Sequence, residues 1–212
     1  GSHQDIFHRV LNHEADILLG TQMVAKGFDF PNVTLVGVIS ADTSLNLPDF
    51  RASERTFQLL TQVAGRTGRG NLGGEVIVQT YSRGHHSVIS AQRHDYETFY
   101  SQEIVDRKAL SYPPFGRVVG ILFQGEQDEY VMQEAHRFAV LMKKSSEDLN
   151  ILGPAPPVIA RIRNQYRWQI IARGRHSAHL RETVRRVRDT WERKIDNRRV
   201  RLKIDVDPVG LM

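Results

Sequence analysis

Gln62-Val63-Ala64-Gly65-Arg66-Thr67-Gly68-Arg69-Gly70 is the stretch of this sequence best equipped for chemistry. Its glycines let the backbone turn tightly, while Arg66 and Arg69, three apart, project two guanidinium groups toward one region. Guanidiniums placed this way clamp the spread negative charge of a transferring phosphoryl group, and Gln62 can hydrogen-bond a phosphate oxygen or an attacking water. The same residue types also suit a nucleic-acid phosphate clasp or a solvated turn. A second stretch, Gly20-Thr21-Gln22-Met23-Val24-Ala25-Lys26-Gly27-Phe28-Asp29-Phe30-Pro31, follows an apolar run, at the expected carboxyl end of a strand where α/β sheets bind ligands. Thr21 can donate to a backbone phosphate there, Lys26 adds charge and Gly27 permits close approach. Its other reading is an ordinary Gly/Pro-rich connection.

The third candidate is a charge pattern. Residues 160–203 hold fifteen Lys/Arg and four Asp/Glu, a local balance of +11 in a chain whose net charge is +5, so the remainder is acidic. Segregated positive charge points to a polyanionic partner, and its other reading is a soluble surface. Arg161, Arg163 and Arg167 with Tyr166 and Trp168 join charge to aromatic surface, as proteins that hold single strands do. Trp168 equally suits a core. Arg181, Arg185 and Arg188 recur at helical spacing beside an apolar stripe that includes Trp191, which is read as core.

The elements that must position these groups fall into three regions. Up to about residue 84 the pattern is α/β: apolar runs at 16–19 and 33–39 suit buried parallel strands, and 75–80 suits a third. Between them 53–63 reads as a helix capped by Ser53. Residues 85–115 read as a helical linker ending at Tyr112-Pro113-Pro114-Phe115, since two prolines cannot continue a helix. Residues 116–212 show a strand at 117–123, then a helix at 127–145 with Val131, Ala135, Phe138 and Met142 on one face. Strands at 158–163 and 167–172 follow. A helix capped by Ser177, with Leu180, Val184, Val187 and Trp191 inward, precedes an alternating strand at 200–206. The order is βαββαβ, a ferredoxin-like α+β arrangement.

Composition sets limits. With no cysteine there are no disulfides and no thiolate zinc sites, and His85, His86 and His94, lacking spaced partners, read as loop and helix-surface residues, so no metal site is assigned. No apolar run approaches the roughly 18 residues that cross a bilayer. Gly1-Ser2-His3 looks like the scar of a cleaved tag, and no signal peptide follows it.

Together the first two stretches resemble motifs V and VI of superfamily 2 helicases. Pro48-Asp49-Phe50-Arg51-Ala52-Ser53-Glu54-Arg55, Tyr112-Pro113-Pro114-Phe115, Tyr166-Arg167-Trp168-Gln169-Ile170 and Asp205-Val206-Asp207-Pro208 resemble the PriA (primosomal protein N′) family of replication-restart helicases. The resemblance implies a partial RecA-like lobe over 4–84, a linker over 85–115, and a DNA- and partner-binding domain over 116–212. It implies Arg69 as an arginine finger, with Arg66 and Gln62 beside the γ-phosphate. Thr21 and Lys26 would lie on single-stranded DNA, and Gly27 and Asp29 would couple it to the nucleotide state. It further implies a bacterial, cytoplasmic 3′→5′ helicase using ATP and Mg, with branched and single-stranded DNA, the single-stranded DNA-binding protein and other primosome proteins as partners. An acidic tail of that binding protein would find Arg175, Arg181 and Arg185 beside the Leu180/Val184 face. The chain carries no G-x-x-x-x-G-K-[ST] loop and none of the family's zinc-binding cysteines. The expectation is therefore a chain that begins inside the second motor lobe, binds DNA and partners, and neither hydrolyses ATP nor binds it tightly. The alternatives are a non-enzymatic RNA- or ribosome-binding module and another superfamily 2 branch-migration helicase.

Overall fold

The computed structural model describes residues 3–21, 33–65, 73–195 and 199–210. The chain divides into two compact units, Gly1–Asn46 with Arg51–Glu103, and Leu47–Phe50 with Ile104–Met212.

The first unit runs α1 (His3–Leu11), β1 (Leu35–Val38), α2 (Asp42–Leu45), α3 (Ala52–Ala64), β2 (Glu75–Val78), α4 (His86–Gln92) and the start of α5 (Tyr96–Ala109). β1 and β2 pair in parallel, Leu35 beside Glu75 through Val38 beside Val78. Among the described residues the main buried cluster is small, made of Ala41, Phe57, Leu60, Ala91 and Phe99, with the Phe57 and Phe99 rings stacked 4.4 Å apart. Two expectations need correction. The run at 33–39 forms only a four-residue strand whose residues alternate between exposed and half-buried, and Ile39 is 78% exposed. Residues 16–19 form no strand, and Ile17 and Leu19 are exposed. A buried parallel strand needs neighbours for its backbone groups and a covering layer on each face. The described residues give β1 one neighbour and 16–19 none.

The helical stretch after β2 also differs from a single helix. It breaks at Arg93, where His94 adopts φ 52°, and Asp95 restarts it by accepting hydrogen bonds from the Thr98 N–H at 2.9 Å and hydroxyl at 2.6 Å. Ser53 is not the cap expected of it: α3 begins one residue earlier, behind Arg51, which places Ser53 inside the first turn. The same shift moves Ser177 inside its helix, behind His176.

In the second unit come β3 (Arg117–Gly125), α6 (Asp128–Ser145), β4 (Asn150–Ala155), β5 (Arg161–Ile162), β6 (Gln165–Gly174), α7 (Ser177–Glu192) and β7 (Arg201–Val206). The sheet order is β4-β6-β3-β7 with every neighbouring pair antiparallel, and β5 adds a short hairpin to β6. Val119, Ile121 and Phe123 of β3 and Ile170 and Ala172 of β6 face α6 and α7, whose predicted stripes are all buried. Phe123, Phe138 and Trp191 meet edge to face at 5.5 to 5.9 Å. The Trp191 indole N–H donates to Glu134 Oε2 at 3.0 Å, and Arg137 donates to Glu134 Oε1 at 2.9 Å, so a buried carboxylate and a buried indole satisfy each other.

The strand expected at 158–163 is mostly loop, and 150–155 takes its place. Gly153, at φ +92°, and Pro154 disguise β4 in the sequence. An edge strand tolerates both, because one side of its ladder is unpaired and a register shift between Leu152 and Ala155 absorbs the irregularity. A ladder of two rings between two guanidinium groups also lies within this unit. Arg107 lies over Phe50, Phe50 stacks on Tyr112 at 5.1 Å, and Arg173 of β6 lies over Tyr112 at 4.6 Å.

Two predictions follow from the packing. Glu134→Ala leaves the buried Trp191 N–H unpaired and should cost about 1–3 kcal/mol. Urea unfolding followed by tryptophan fluorescence should show a lower midpoint at unchanged slope, with Glu134→Gln losing less; equal midpoints for Ala and wild type would remove this hydrogen bond from the stability account.

The second concerns pH. Asp42, at the start of α2, accepts from the Ser82 hydroxyl at 2.8 Å, the Tyr81 N–H at 3.0 Å and the Thr80 hydroxyl at 3.1 Å. The Ser82 hydroxyl and then the Tyr81 N–H hold its carboxyl below the usual carboxylate range against the opposing effect of burial. Thr98 does the same for Asp95, through its hydroxyl first and then its N–H. Folded values lie below unfolded ones, so this stabilisation is complete above about pH 4 and is lost as pH falls through the lowered folded values. Hydrogen exchange in 35–45 and 75–82, corrected for intrinsic rate, should accelerate below about pH 4 in the wild type. Asp42→Asn should show that acceleration already near neutrality; identical pH courses for the two would refute the anchor.

Candidate nucleic-acid interface

The first unit orders its chain around the carboxyl ends of two parallel strands. Beyond β1 the chain turns through Ser40, at φ 61°, into α2, and beyond β2 it reaches Thr80, Tyr81 and Ser82. Asp42 binds all three, which fixes the two strand exits side by side. Nothing in the sequence pattern singled out Asp42, because the groups that donate to it lie 38 to 40 residues away. α3 then carries Gln62, half-buried on its last turn, to Gly65. Thr21 is exposed. Arg66, Arg69, Lys26, Gly27 and Asp29 lie outside the described residues.

His86 Nε2 sits 3.2 Å from Glu103 Oε2, with the His86 ring stacked on Phe99. This pair ties α4 to α5 inside the first unit, and Glu103 is only 8% exposed. Among the described residues no cluster of three metal-ligating side chains occurs, and no helix is long and apolar enough to cross a membrane.

In the second unit the hairpin joining β5 to β6 brings three of the expected groups together. Arg163 and Asn164 form its two-residue turn at φ 49° and 61°, the left-handed geometry that matches the twist of paired strands. Arg161 stands opposite Tyr166, its guanidinium 4.7 Å from the ring centroid, and also donates to the Asn164 side-chain carbonyl at 3.1 Å. Arg161 and Arg163 are exposed, and Val158, Ile159 and Ile162 add exposed apolar surface beside them. The hairpin is thus a projecting element with cations, an aromatic ring and aliphatic side chains within a few residues.

Arg167 and Trp168 have different surroundings. Arg167 is 8% exposed, and its guanidinium donates to the Ile159 carbonyl at 3.0 Å, which commits it to holding the hairpin's approach loop. Trp168 packs against the core and donates its indole N–H to Asp128 at 2.8 Å. Arg167 lies on the opposite face of β6 from Tyr166 and Trp168 on the same one, and burial and hydrogen bonds make them supports for the hairpin and not part of its surface.

The basic stripe on α7 is exposed but partly engaged. Arg185 pairs with Glu182 at 3.1 Å, and Arg188 pairs with Asp189 at 2.7 Å, an interaction that raises the arginine's pKa further. Arg175 and Arg181 are exposed. The apolar notch expected beside them is not on the surface, because Leu180 and Val184 are 0% and 3% exposed. Arg181 and Arg185 follow Leu180 and Val184 by one residue each, about 100° further round the helix, which leaves the arginines outside while the aliphatic residues face the core.

The family model of the Helicase conserved C-terminal domain matches residues 2–71, and that of the Primosomal protein N C-terminal domain matches residues 108–209. Replication restart protein PriA of Bacillus subtilis is 43% identical over 100% of the chain, and that of Treponema pallidum is 41% identical over 93%. The Chlamydia pneumoniae protein is 39% identical over 99% of the chain. The alignments take up 26%, 30% and 28% of those proteins, so the chain spans between a quarter and a third of their length. With both family models matching in order and sequence identity running through each of them, the chain belongs to the PriA family of replication restart proteins.

Proposed function

We propose that the chain is a carboxy-terminal portion of an ATP-dependent, 3′→5′ superfamily 2 DNA helicase of the bacterial cytoplasm that restarts replication at stalled forks and assembles the primosome. The observation that carries this reading is identity to replication restart proteins over the whole chain, helicase segment and terminal domain alike. A non-enzymatic RNA-binding module would account for the basic second unit alone and leaves the helicase match over 2–71 without a purpose.

In this reading the first unit belongs to the second motor lobe, and its part in ATP turnover is electrostatic. Arg69 is the arginine finger, with Arg66 and Gln62 beside the γ-phosphate, on ATP and Mg held mainly by residues outside this chain. The Asp42 anchor keeps the ends of β1 and β2 in fixed relation, which suits a unit in which DNA contact at Thr21, Lys26, Gly27 and Asp29 is to be felt at the nucleotide. The family's zinc would be held by cysteines outside this chain.

The second unit is read as a ferredoxin-like domain, supported by its βαββαβ order and its β4-β6-β3-β7 sheet. Its hairpin would meet DNA through Arg161, Arg163 and Tyr166, on the scaffold of Arg167 and Trp168. An acidic tail of the single-stranded DNA-binding protein would meet Arg175, Arg181 and Arg185 by charge alone, since the adjoining aliphatic residues are in the core.

Two experiments test this. In the full-length protein Arg69→Ala should cut DNA-stimulated ATP turnover by about 10³-fold or more with DNA affinity nearly unchanged, as loss of an arginine finger does. A loss below about tenfold would assign Arg69 to structure. Charge reversal at Arg161 and Arg163 in the 212-residue chain should weaken single-stranded and forked DNA alike. It should also flatten the salt dependence by roughly one to one and a half, about 0.7 for each lost phosphate contact. Unchanged affinity and slope would place the DNA path elsewhere.

A further inference from the structure

At the end of the second unit's sheet, where β3 turns into α6, lies a cavity of about 640 Å³. Its walls come from three places: Gln124 and Gln127 around the β3–α6 turn, Gln165 at the start of β6, and Arg199 and Arg201 at the approach to β7. Apart from Gln165, which pairs with Ile162, these residues lie outside the hairpin, and all of them lie outside the α7 stripe. Gln165 directly precedes Tyr166, so the cavity opens beside the hairpin.

Its construction is specific. Arg199 lies over Tyr130, its guanidinium 4.0 Å from the ring centroid, and donates to Gln127 Oε1 at 2.6 Å. Ring and amide together hold the guanidinium plane in one orientation. Gly125 makes this approach possible. A Cβ there would meet the Arg199 carbonyl oxygen at 2.5 Å and Val131 Cγ2 at 2.8 Å, so any larger residue would push the 199 backbone away from β3. Gln124 stands in register with Arg201 across the β3–β7 pair. The amides of Gln124 and Gln165 and the guanidinium of Arg201 have no hydrogen-bond partner among the described residues.

The chemistry narrows the ligand. Side-chain amides offer a donor and an acceptor together, the pattern that pairs with the edge of a nucleobase, and a held guanidinium plane is a surface on which a base stacks. Glu126, also in the lining, disfavours a bare inorganic anion and can accept from a base amino group. Base edges inside a duplex cannot enter a cavity, so the ligand must be unstacked.

We propose that this cavity receives one unstacked base of single-stranded DNA. The amides of Gln124 and Gln165 meet its edge, the Arg199 plane carries its face and Arg201 takes the adjoining phosphate. The inference rests on the reading of the hairpin as a DNA surface, and it extends the strand's path from Tyr166 to β7.

The test uses the 212-residue chain and three probes: a 15-nucleotide strand, the same strand with abasic sugars throughout, and free deoxynucleoside monophosphate. Wild type should prefer the base-bearing strand over the abasic one, and the monophosphate should compete only at far higher concentration. Gln124→Ala with Gln165→Ala should lower affinity for the base-bearing strand about five- to tenfold, the low end of what one stacked and bonded base contributes, without moving the abasic strand. Arg201→Ala, at an exposed position, should weaken both strands and lower the salt slope by about 0.7. A 5-iodouracil strand should photocrosslink within residues 124–130, a readout independent of whether the glutamine variant folds.

Equal affinity of wild type for the two strands, an unaffected glutamine variant, or crosslinks confined to other segments would overturn the proposal. Competition by the monophosphate at strand-like concentration would make this a free-nucleotide site and overturn it as well. Charge reversal at Arg161 and Arg163 separates the two levels. If it weakens DNA while the glutamine variant does not, only the cavity is refuted. If both are silent, the DNA reading of the hairpin has failed with it.

Discussion

Two helices lie on one face of the second unit's sheet, and much else in that unit depends on their staying there. α6 and α7 bring Phe138 and Trp191 against Phe123 of β3, with none of the three more than 1% exposed. Burying side chains of this size contributes about 1.5–3 kcal/mol each. The geometry also demands that the indole N–H find a partner, and Glu134 supplies it. With both helices on one side, alternate residues of β3 and β6, such as Leu122, Gln124, Gln169 and Ile171, stay half-exposed on the other. What the unit offers to a partner is therefore a consequence of what it hides.

The charge distribution follows the same logic. Along α7 the apolar stripe is fully inside, so the arginines between its members are forced outward. Some of them are answered locally by Glu182, Asp189 and Glu192, while Arg186 reaches the Ser145 carbonyl at the end of α6. Exposed pairs of this kind contribute little to stability. The positive excess of the segment is thus available for association, concentrated on the hairpin, α7 and the approach to β7.

In the first unit the balance is different. Among its described residues the main buried cluster is small and built on the stacked Phe57–Phe99 pair, and several large aliphatic side chains of its strands remain exposed. A single carboxylate, Asp42, ties the exit of β1 to the segment after β2, using three donors from that segment. Charge-assisted hydrogen bonds of this kind are roughly twice as strong as neutral ones. Polar anchoring compensates here for what apolar burial does in the second unit.

Sequence by itself determined the elements whose signal is periodic. The helical stripes of α3, α6 and α7 and the alternation of β3, β6 and β7 were legible because burial of one face imposes a repeat on neighbouring residues. The family motifs were legible for a similar reason, as residue types at fixed spacing within one short stretch. Tertiary structure alone decided the rest. Residues 150–155 became an edge strand despite Gly153 and Pro154, because β6 lay alongside to pair with them and an edge needs only one ladder. Residues 16–19 and most of 33–39, apolar enough for buried strands, stayed exposed for want of neighbours among the described residues. Arg167 and Trp168 look like Arg161 and Tyr166 on paper. What separates them is a carbonyl at Ile159 and a carboxylate at Asp128, and that partner at residue 128 lies 40 positions away from its indole. Partners at such separations leave no local pattern, since the chain that brings them together is the folded one.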